Sequence, residues 1–274
     1  MFRFPAYNWF ESNLSNRCQV TVCNGTKSIP ETVQIGVPKG SILGPLLFTL
    51  YINDLAHYLE HCDITIYADD TVLFISDKSL HNIKSYMNSY LEKLNNWLKL
   101  NRLTLSISKS KFMIIGSSQR LNKIDSVSFK VDNMDLDEVS SFKYLGIVIN
   151  NRLTWQDRVD QMLSKINKKL GLLKRIRYCL PLDARLLFFN SYVLPLFDYA
   201  DIEWGNRGNS TLLMLQLQYL HNKAVKVILD LPVGSSASEI LNKRKWKTLQ
   251  RRRAEHSANF IYKCLNNFFH IVLI

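Results

Sequence analysis

Between Gln19 and Val37, Val, Ile and Thr alternate with polar residues around Asn24-Gly25, a dipeptide that tolerates the left-handed backbone of a two-residue hairpin turn. Two strands are predicted there. After Gly40-Ser41 the period changes. Leu47, Leu50, Tyr51, Leu55, Tyr58 and Leu59 recur at helical spacing, with Pro45 near the start, so an amphipathic helix entered through a glycine-rich turn is expected. Two β-prone runs, Ile64-Thr65-Ile66-Tyr67 and Val72-Leu73-Phe74-Ile75, flank Ala68-Asp69-Asp70-Thr71 and read as a hairpin with two acids at its tip. A long helix follows on the stripe Leu80, Ile83, Met87, Leu91, Leu94 and Leu98, with Asp77 or Ser79 for its cap. Residues 103–107 and 112–115 read as a strand pair around Lys109-Ser110-Lys111. Further strands are expected at 127–131 and 142–149.

Past Trp155 the strand period disappears. Val159, Met162, Ile166, Leu170 and Leu173 form one helical stripe, while Arg158, Lys165, Lys168, Lys169 and Arg175 fall largely on other faces. More helices are expected at 183–199, 212–229 and 249–265. The fold class implied is α+β, with a sheet-bearing unit over 1–150 and a helical unit over 151–274.

Charge sharpens that division. Of the net +12, residues 1–150 hold 15 Lys/Arg against 14 Asp/Glu, and residues 151–274 hold 20 against 9. A basic half beside a neutral half suggests that one part grips a polyanion, nucleic acid being the commonest. With 47% hydrophobic and 21% charged residues the chain is expected to fold throughout. The longest apolar stretch, 42–52, is too short to span a bilayer, and no leader-like core opens the chain, so no membrane association is expected. Cys18, Cys23, Cys62, Cys179 and Cys264 are odd in number and lack metal-ligand spacing, which suggests a reducing intracellular compartment, cytoplasmic or nuclear. His57 and His61 are read as surface residues for want of a third ligand. The run Lys243-Arg244-Lys245-Trp246-Lys247, followed by Arg251-Arg252-Arg253, fits a nuclear address, a phosphate-contacting surface or a solvated helix face.

Paired acids on a rigid hairpin tip suit a hard cation, although aspartate is also a common turn former. The tip has a context. Tyr67-Ala68-Asp69-Asp70 resembles the polymerase signature of reverse transcriptases. The segment from Gly36-Val37-Pro38-Lys39-Gly40-Ser41 through Gly44-Pro45 to Tyr51-Ile52-Asn53-Asp54-Leu55 resembles the substrate-contacting turn and helix of non-LTR retrotransposon polymerases of the jockey-like LINE group. Phe142-Lys143-Tyr144-Leu145-Gly146 is similar to the family's primer-grip hairpin, residues 155–177 to its thumb, and the stretch Ser191 to Leu229 to its post-thumb region.

The resemblance implies a partial polymerase palm with an antiparallel sheet, followed by an all-helical thumb. It implies RNA-directed DNA polymerisation by two-metal nucleotidyl transfer with Mg²⁺ or Mn²⁺, acting on an RNA template, a DNA primer and a dNTP. Asp69 and Asp70 become the catalytic and metal-binding pair. Gly36, Pro38, Lys39, Gly40, Ser41, Tyr67 and Lys109 become substrate and template contacts, and Tyr144, Leu145 and Gly146 the primer grip. Lys165, Lys168, Lys169, Lys174 and Arg175 become nucleic-acid contacts. The family's further metal-binding aspartate and its fingers have no counterpart ahead of Trp9, since no Asp precedes Glu11. The chain alone is therefore expected to be inactive, with one hydrophobic strand edge open, as a truncated or degenerate element copy or an incomplete gene model would be. The rival reading is a non-catalytic nucleic-acid-binding protein. Lys39 and Ser106 replace the family's usual Gln and Asn, so altered template contacts are expected.

Overall fold

The computed structural model describes residues 4–38, 40–59, 62–124, 126–205, 211–232, 234–236, 241, 246–266 and 268. Lys39, His61 and the basic residues Lys243, Arg244 and Lys245 lie outside them. In chain order, α1 (Phe4–Leu14) precedes the short strands β1 (Arg17–Gln19), β2 (Val22–Cys23), β3 (Thr26–Lys27) and β4 (Glu31–Val33). Then come α2 (Gly44–Tyr51), α3 (Leu55–Tyr58), β5 (Asp63–Tyr67), β6 (Asp70–Phe74) and α4 (Leu80–Leu100). Next are β7 (Lys111–Phe112), α5 (Ser118–Leu121), β8 (Lys130–Val131), β9 (Met134–Asp135), β10 (Asp137–Glu138), β11 (Ser141–Tyr144) and β12 (Ile147–Asn150). The remaining helices are α6 (Gln156–Ile176), α7 (Leu182–Phe188), α8 (Leu194–Asp198), α9 (Asp201–Trp204), α10 (Thr211–Leu229) and α11 (Leu249–Leu265). The fold is α+β.

The chain forms two compact units. The first takes in residues up to Ser110 together with Ser128–Leu136. Its nested hairpins turn at Asn24-Gly25, both with positive φ as expected of that dipeptide. Its core is Ile52, Leu55, Leu59, Leu94 and Trp97, onto which Phe48, Ile64, Ile66, Leu73 and Leu103 pack. α4 starts at Ser79, but Asp77 makes the polar contacts there, accepting from the Ser79 amide at 2.6 Å and from Asn82 Nδ2 at 3.3 Å.

Two expectations fail locally. The helix expected over 47–59 breaks at Ile52-Asn53-Asp54, because Asn and Asp compete for backbone hydrogen bonds and a turn reaims Leu55 into the core. Residues 103–107 form no strand with 112–115. Ser110 folds back instead, its amide and hydroxyl both donating to the Ser106 carbonyl, and β7 pairs in parallel with β10.

The second unit holds Lys111–Val127 and the chain from Asp137 onward. The hairpin β11–β12 belongs to this unit with the helices. Val159, Met162, Ile166, Leu170 and Leu173 of α6 are buried as their spacing requires, against Phe189, Val193, Phe197, Trp204, Leu213, Leu217, Leu220, Ala224 and Ile228. Between α7 and α8, residues Phe189–Val193 form a π-turn in which the Leu194 amide donates to the Phe189 carbonyl, five residues back. Pro195 explains it: proline has no N–H for the Ser191 carbonyl and its ring would strike that group, so the wider turn makes room. Phe189, Val193 and Phe197 thus all reach the core.

Candidate functional site

β5 and β6 pair antiparallel with Ile64 opposite Leu73 and Tyr67 opposite Asp70, so Ala68-Asp69 is the two-residue turn. Ile64, Ile66 and Leu73 point to the core, while Tyr67, Asp69 and Asp70 are exposed. Ala68 takes φ +51°, a left-handed conformation unfavourable for any residue with a Cβ. The apolar face anchors the hairpin and sends its tip into solvent. Neither carboxylate has an ion pair or side-chain hydrogen bond among the described residues. Two neighbouring acids held without a cation at a fixed tip leave their oxygens available to one.

The turn before α2 uses its glycines in different ways. Gly36 and Gly40 take φ +83° and +78°. The Gly36 carbonyl accepts from Arg17, which also donates to the Leu14 carbonyl at 3.3 Å. The Ser41 amide donates to the Pro38 carbonyl at 3.2 Å, and the Gly44 amide to the Ser41 carbonyl at 3.3 Å, giving consecutive turns that lead into the helix. Gly44 is buried there because a Cβ at that position would stand 2.8 Å from Ser41 Oγ. Its packing role was not assigned from the sequence, though a glycine directly before Pro45 signals a tight helix entry. Phe48 and Ile52 join the cluster that carries Ile64, Ile66 and Leu73, so the acid hairpin and this turn-helix segment share one apolar support. Lys109 is exposed in the turn after Leu103, and no ion pair links it to either aspartate.

In the second unit, β11 and β12 turn at Leu145-Gly146, with φ +45° and +82°, and Tyr144 pairs with Ile147. Asn150 ties the hairpin's end to α6, donating to Thr154 Oγ1 at 2.7 Å and to Asp157 Oδ2 at 3.2 Å. On α6, Lys165, Lys168 and Arg175 are exposed away from the buried stripe, without ion-pair partners among the described residues, and Lys174 is exposed beside it. Lys169 is different. It donates to the Tyr192 carbonyl at 2.7 Å and sits 4.9 Å from the centre of that ring, which stacks on Phe188. It therefore links α6 to the π-turn as well as adding charge.

One polar cluster had no sequence signal, because its acidic and basic halves lie more than fifty residues apart. Arg252 grips Asp198 with both ends of its fork, and His256 Nδ1 lies 2.8 Å from the buried Asp201 carboxylate. A cleft of about 330 Å³ opens beside them, lined also by Lys263 and Asn259. Asp198, Asp201 and His256 are of metal-ligating type and lie close together. Each acid is already matched by a basic side chain, so the cluster acts as a brace between α11 and the α8–α9 corner. All five cysteines are free thiols. Among the described residues no helix is long and apolar enough to cross a membrane.

The family model described as reverse transcriptase (RNA-dependent DNA polymerase) matches residues 1–149. A protein described as a probable RNA-directed DNA polymerase from transposon BS of Drosophila melanogaster is 25% identical over 272 residues, which is 95% of this chain and 29% of that protein. The corresponding protein of transposon X-element is 23% identical over 235 residues, covering 82% of this chain and 25% of its own length. The RNA-directed DNA polymerase from mobile element jockey, also of Drosophila melanogaster, is 24% identical over 222 residues, 77% of this chain and 24% of that one. The chain spans less than a third of the length of these relatives. It belongs to the reverse transcriptase (RNA-dependent DNA polymerase) family, and the relatives it resembles come from jockey-type non-LTR retrotransposons.

Proposed function

We propose that the chain forms the palm floor, primer grip and thumb of an RNA-directed DNA polymerase acting on an RNA template, a DNA primer and a dNTP in retrotransposition. One observation carries the reading: two carboxylates without an ion-pair partner among the described residues, at the tip of a hairpin anchored by its apolar face, share that apolar support with the helix that follows the Gly36–Ser41 turn, inside the stretch that matches the family. The donor set fits a hard divalent cation, Mg²⁺ or Mn²⁺, since Asp69 and Asp70 offer only carboxylate oxygens and both face solvent. Such an ion, when bound, supplies charge neutralisation at the reacting phosphate and a more acidic primer hydroxyl.

Asp69 is the principal ligand in this reading and Asp70 the second. Gly40, held at positive φ, lets the backbone approach a nucleotide without a side chain in the way, with Gly36, Pro38, Lys39 and Ser41 beside it. The exposed Tyr67 ring supports the primer terminus, and Lys109 contributes charge to the template. Tyr144, Leu145 and Gly146 hold the primer strand. Lys165, Lys168, Lys169, Lys174 and Arg175 neutralise backbone phosphates. Among the described residues no third ligand-type side chain clusters with Asp69 and Asp70, so these residues provide part of a two-ion centre.

Primer extension on poly(rA)/oligo(dT), run beside a binding titration on the same duplex, tests the reading. The expected result is salt-sensitive binding that survives Asp69→Ala, with extension by both proteins at background. Extension that Asp69→Ala abolishes would show that this pair suffices for catalysis. Absence of binding at low salt would sink the polymerase reading altogether. The rival, a non-catalytic nucleic-acid-binding protein, draws support from the exposed cations of α6 that have no ion-pair partner among the described residues. It predicts that a divalent cation leaves primer-template affinity unchanged, whereas the polymerase reading requires an increase that Asp69→Ala removes.

A further inference from the structure

The turn of the β11–β12 hairpin is braced from outside its own sheet. Tyr199 Oη donates to the Leu145 carbonyl at 2.6 Å, and its ring lies beside Gly146, where an added Cβ would meet Cε1 at 3.6 Å. The Gly146 carbonyl accepts from Arg158 Nη1 at 3.4 Å. Tyr199 is itself fixed. Its carbonyl accepts from Trp204 Nε1 at 3.0 Å and from Arg158 Nη2 at 3.5 Å. The Arg158 guanidinium stands 5.8 Å from the centres of both the Tyr199 and Trp204 rings, and only 4% of the residue is exposed. Arg253 covers Trp204 at 5.0 Å. Among the described residues, neither Asn24-Gly25 nor Ala68-Asp69 has a side-chain donor on its turn carbonyls.

The arrangement has a chemical consequence. A hairpin turn offers both amides and carbonyls, and a carbonyl oxygen facing a phosphodiester repels it. Here Tyr199 and Arg158 take both turn carbonyls, leaving neither free to oppose an anion. They also fix in place a two-residue turn in which Leu145 carries the positive φ such a hairpin requires.

We infer that Tyr199 is a positioning residue for primer contact by the Leu145–Gly146 turn, with Arg158 and Trp204 fixing the height of its hydroxyl. The inference rests on reading residues 144–146 as the primer grip. Tyr199 acts through the turn carbonyl and touches no nucleotide itself. The post-thumb segment thereby sets where the primer strand is held.

The experiment compares the full chain with Tyr199→Phe, which keeps the ring and loses the donor, and with Gly146→Ala, which strains the turn directly. The probes are amide exchange at residues 144–147 and the fluorescence of 2-aminopurine at the 3′ end of a DNA primer on an RNA template. In Tyr199→Phe, turn exchange is expected to quicken and recessed-primer affinity to fall, each about threefold to tenfold, as loss of one such hydrogen bond implies. Exchange in α6 and binding of single-stranded RNA stay unchanged, which a general loss of stability would not allow. If Gly146→Ala alters the 2-aminopurine signal but Tyr199→Phe leaves signal and turn exchange as in the parent, the positioning role is overturned. If Gly146→Ala leaves the signal unaltered, the primer-grip reading itself is wrong, and the positioning role falls with it.

Discussion

Arg252 and Asp198 form a two-pronged pair, with Nε to Oδ1 at 3.0 Å and Nη2 to Oδ2 at 2.5 Å, each side chain about a quarter exposed. The fork geometry is particular to a guanidinium, since an ammonium makes point contacts only. Arg252→Lys should therefore destabilise the helical unit by about 1 to 2 kcal/mol, and Arg252→Ala by about 2 to 4, because an unpaired, partly buried carboxylate is left behind. Chemical denaturation checks this. Equal stability of the Lys and parent proteins would show that charge alone suffices.

A second prediction concerns pH. His221 is buried, edge-on to Phe189 and Phe197 at 5.9 and 5.8 Å between ring centres. Burial, reinforced by the Arg252 charge and opposed by Asp198, lowers its pKa to about 4 from the ordinary 6.5. The unfolded chain thus takes up the proton first. His221 contributes no penalty above pH 6.5, and stability falls as pH drops from 6.5 towards 4, by about 3 kcal/mol at most. His221→Leu should flatten that part of the stability profile. An unchanged slope would assign acid sensitivity to other groups.

The strained tip of the acid hairpin supplies a third. Ala68→Gly removes the cost of a Cβ at φ +51°, at some entropic expense in the unfolded chain, so a net gain of up to about 1 kcal/mol is expected. Ala68→Val should lose at least as much. Urea midpoints for the three proteins rank Gly above Ala above Val, and any other order contradicts the left-handed turn.

A fourth bears on the basic helix. Replacing Lys165, Lys168 and Arg175 together by Gln should leave stability nearly unchanged, since none has an ion-pair partner among the described residues. It should also reduce the slope of log affinity against log salt for primer-template duplex by about 2 to 3. Lys169→Gln should behave differently, lowering stability as well, because its ammonium holds the Tyr192 carbonyl. A salt slope unaltered by the triple change would move the phosphate contacts elsewhere.

What the sequence revealed tracks how local each interaction is. The Asp69–Asp70 tip, the Asn24-Gly25 turn and the buried stripe of α6 follow from neighbours a few residues apart, and the structure has all three. Period alone misled at 103–115, where serine hydroxyls fold the chain back on itself, and at 52–54, where two poor helix formers interrupt an otherwise continuous stripe. The grip of Arg252 on Asp198 and of Tyr199 on Leu145 spans 54 residues in each case. Such pairings depend on how helices stack and leave no trace in spacing. The helix expected over 183–199 takes no account of Pro195, and the structure interrupts it there with a widened turn.

That widened turn makes the segment intolerant of length changes. The extra residue accommodated between Phe189 and Val193 lets the stretch before the proline and the stretch after it present apolar side chains to the same side. Removing a single residue at Asn190 would turn the bond from the Leu194 amide to the Phe189 carbonyl into an ordinary α-helical one and close the wide turn. The Pro195 ring would then press on the Ser191 carbonyl, and the helix would have to kink where Phe189, Val193 and Phe197 enter the core. A one-codon deletion there should do more harm than most substitutions in the same helix.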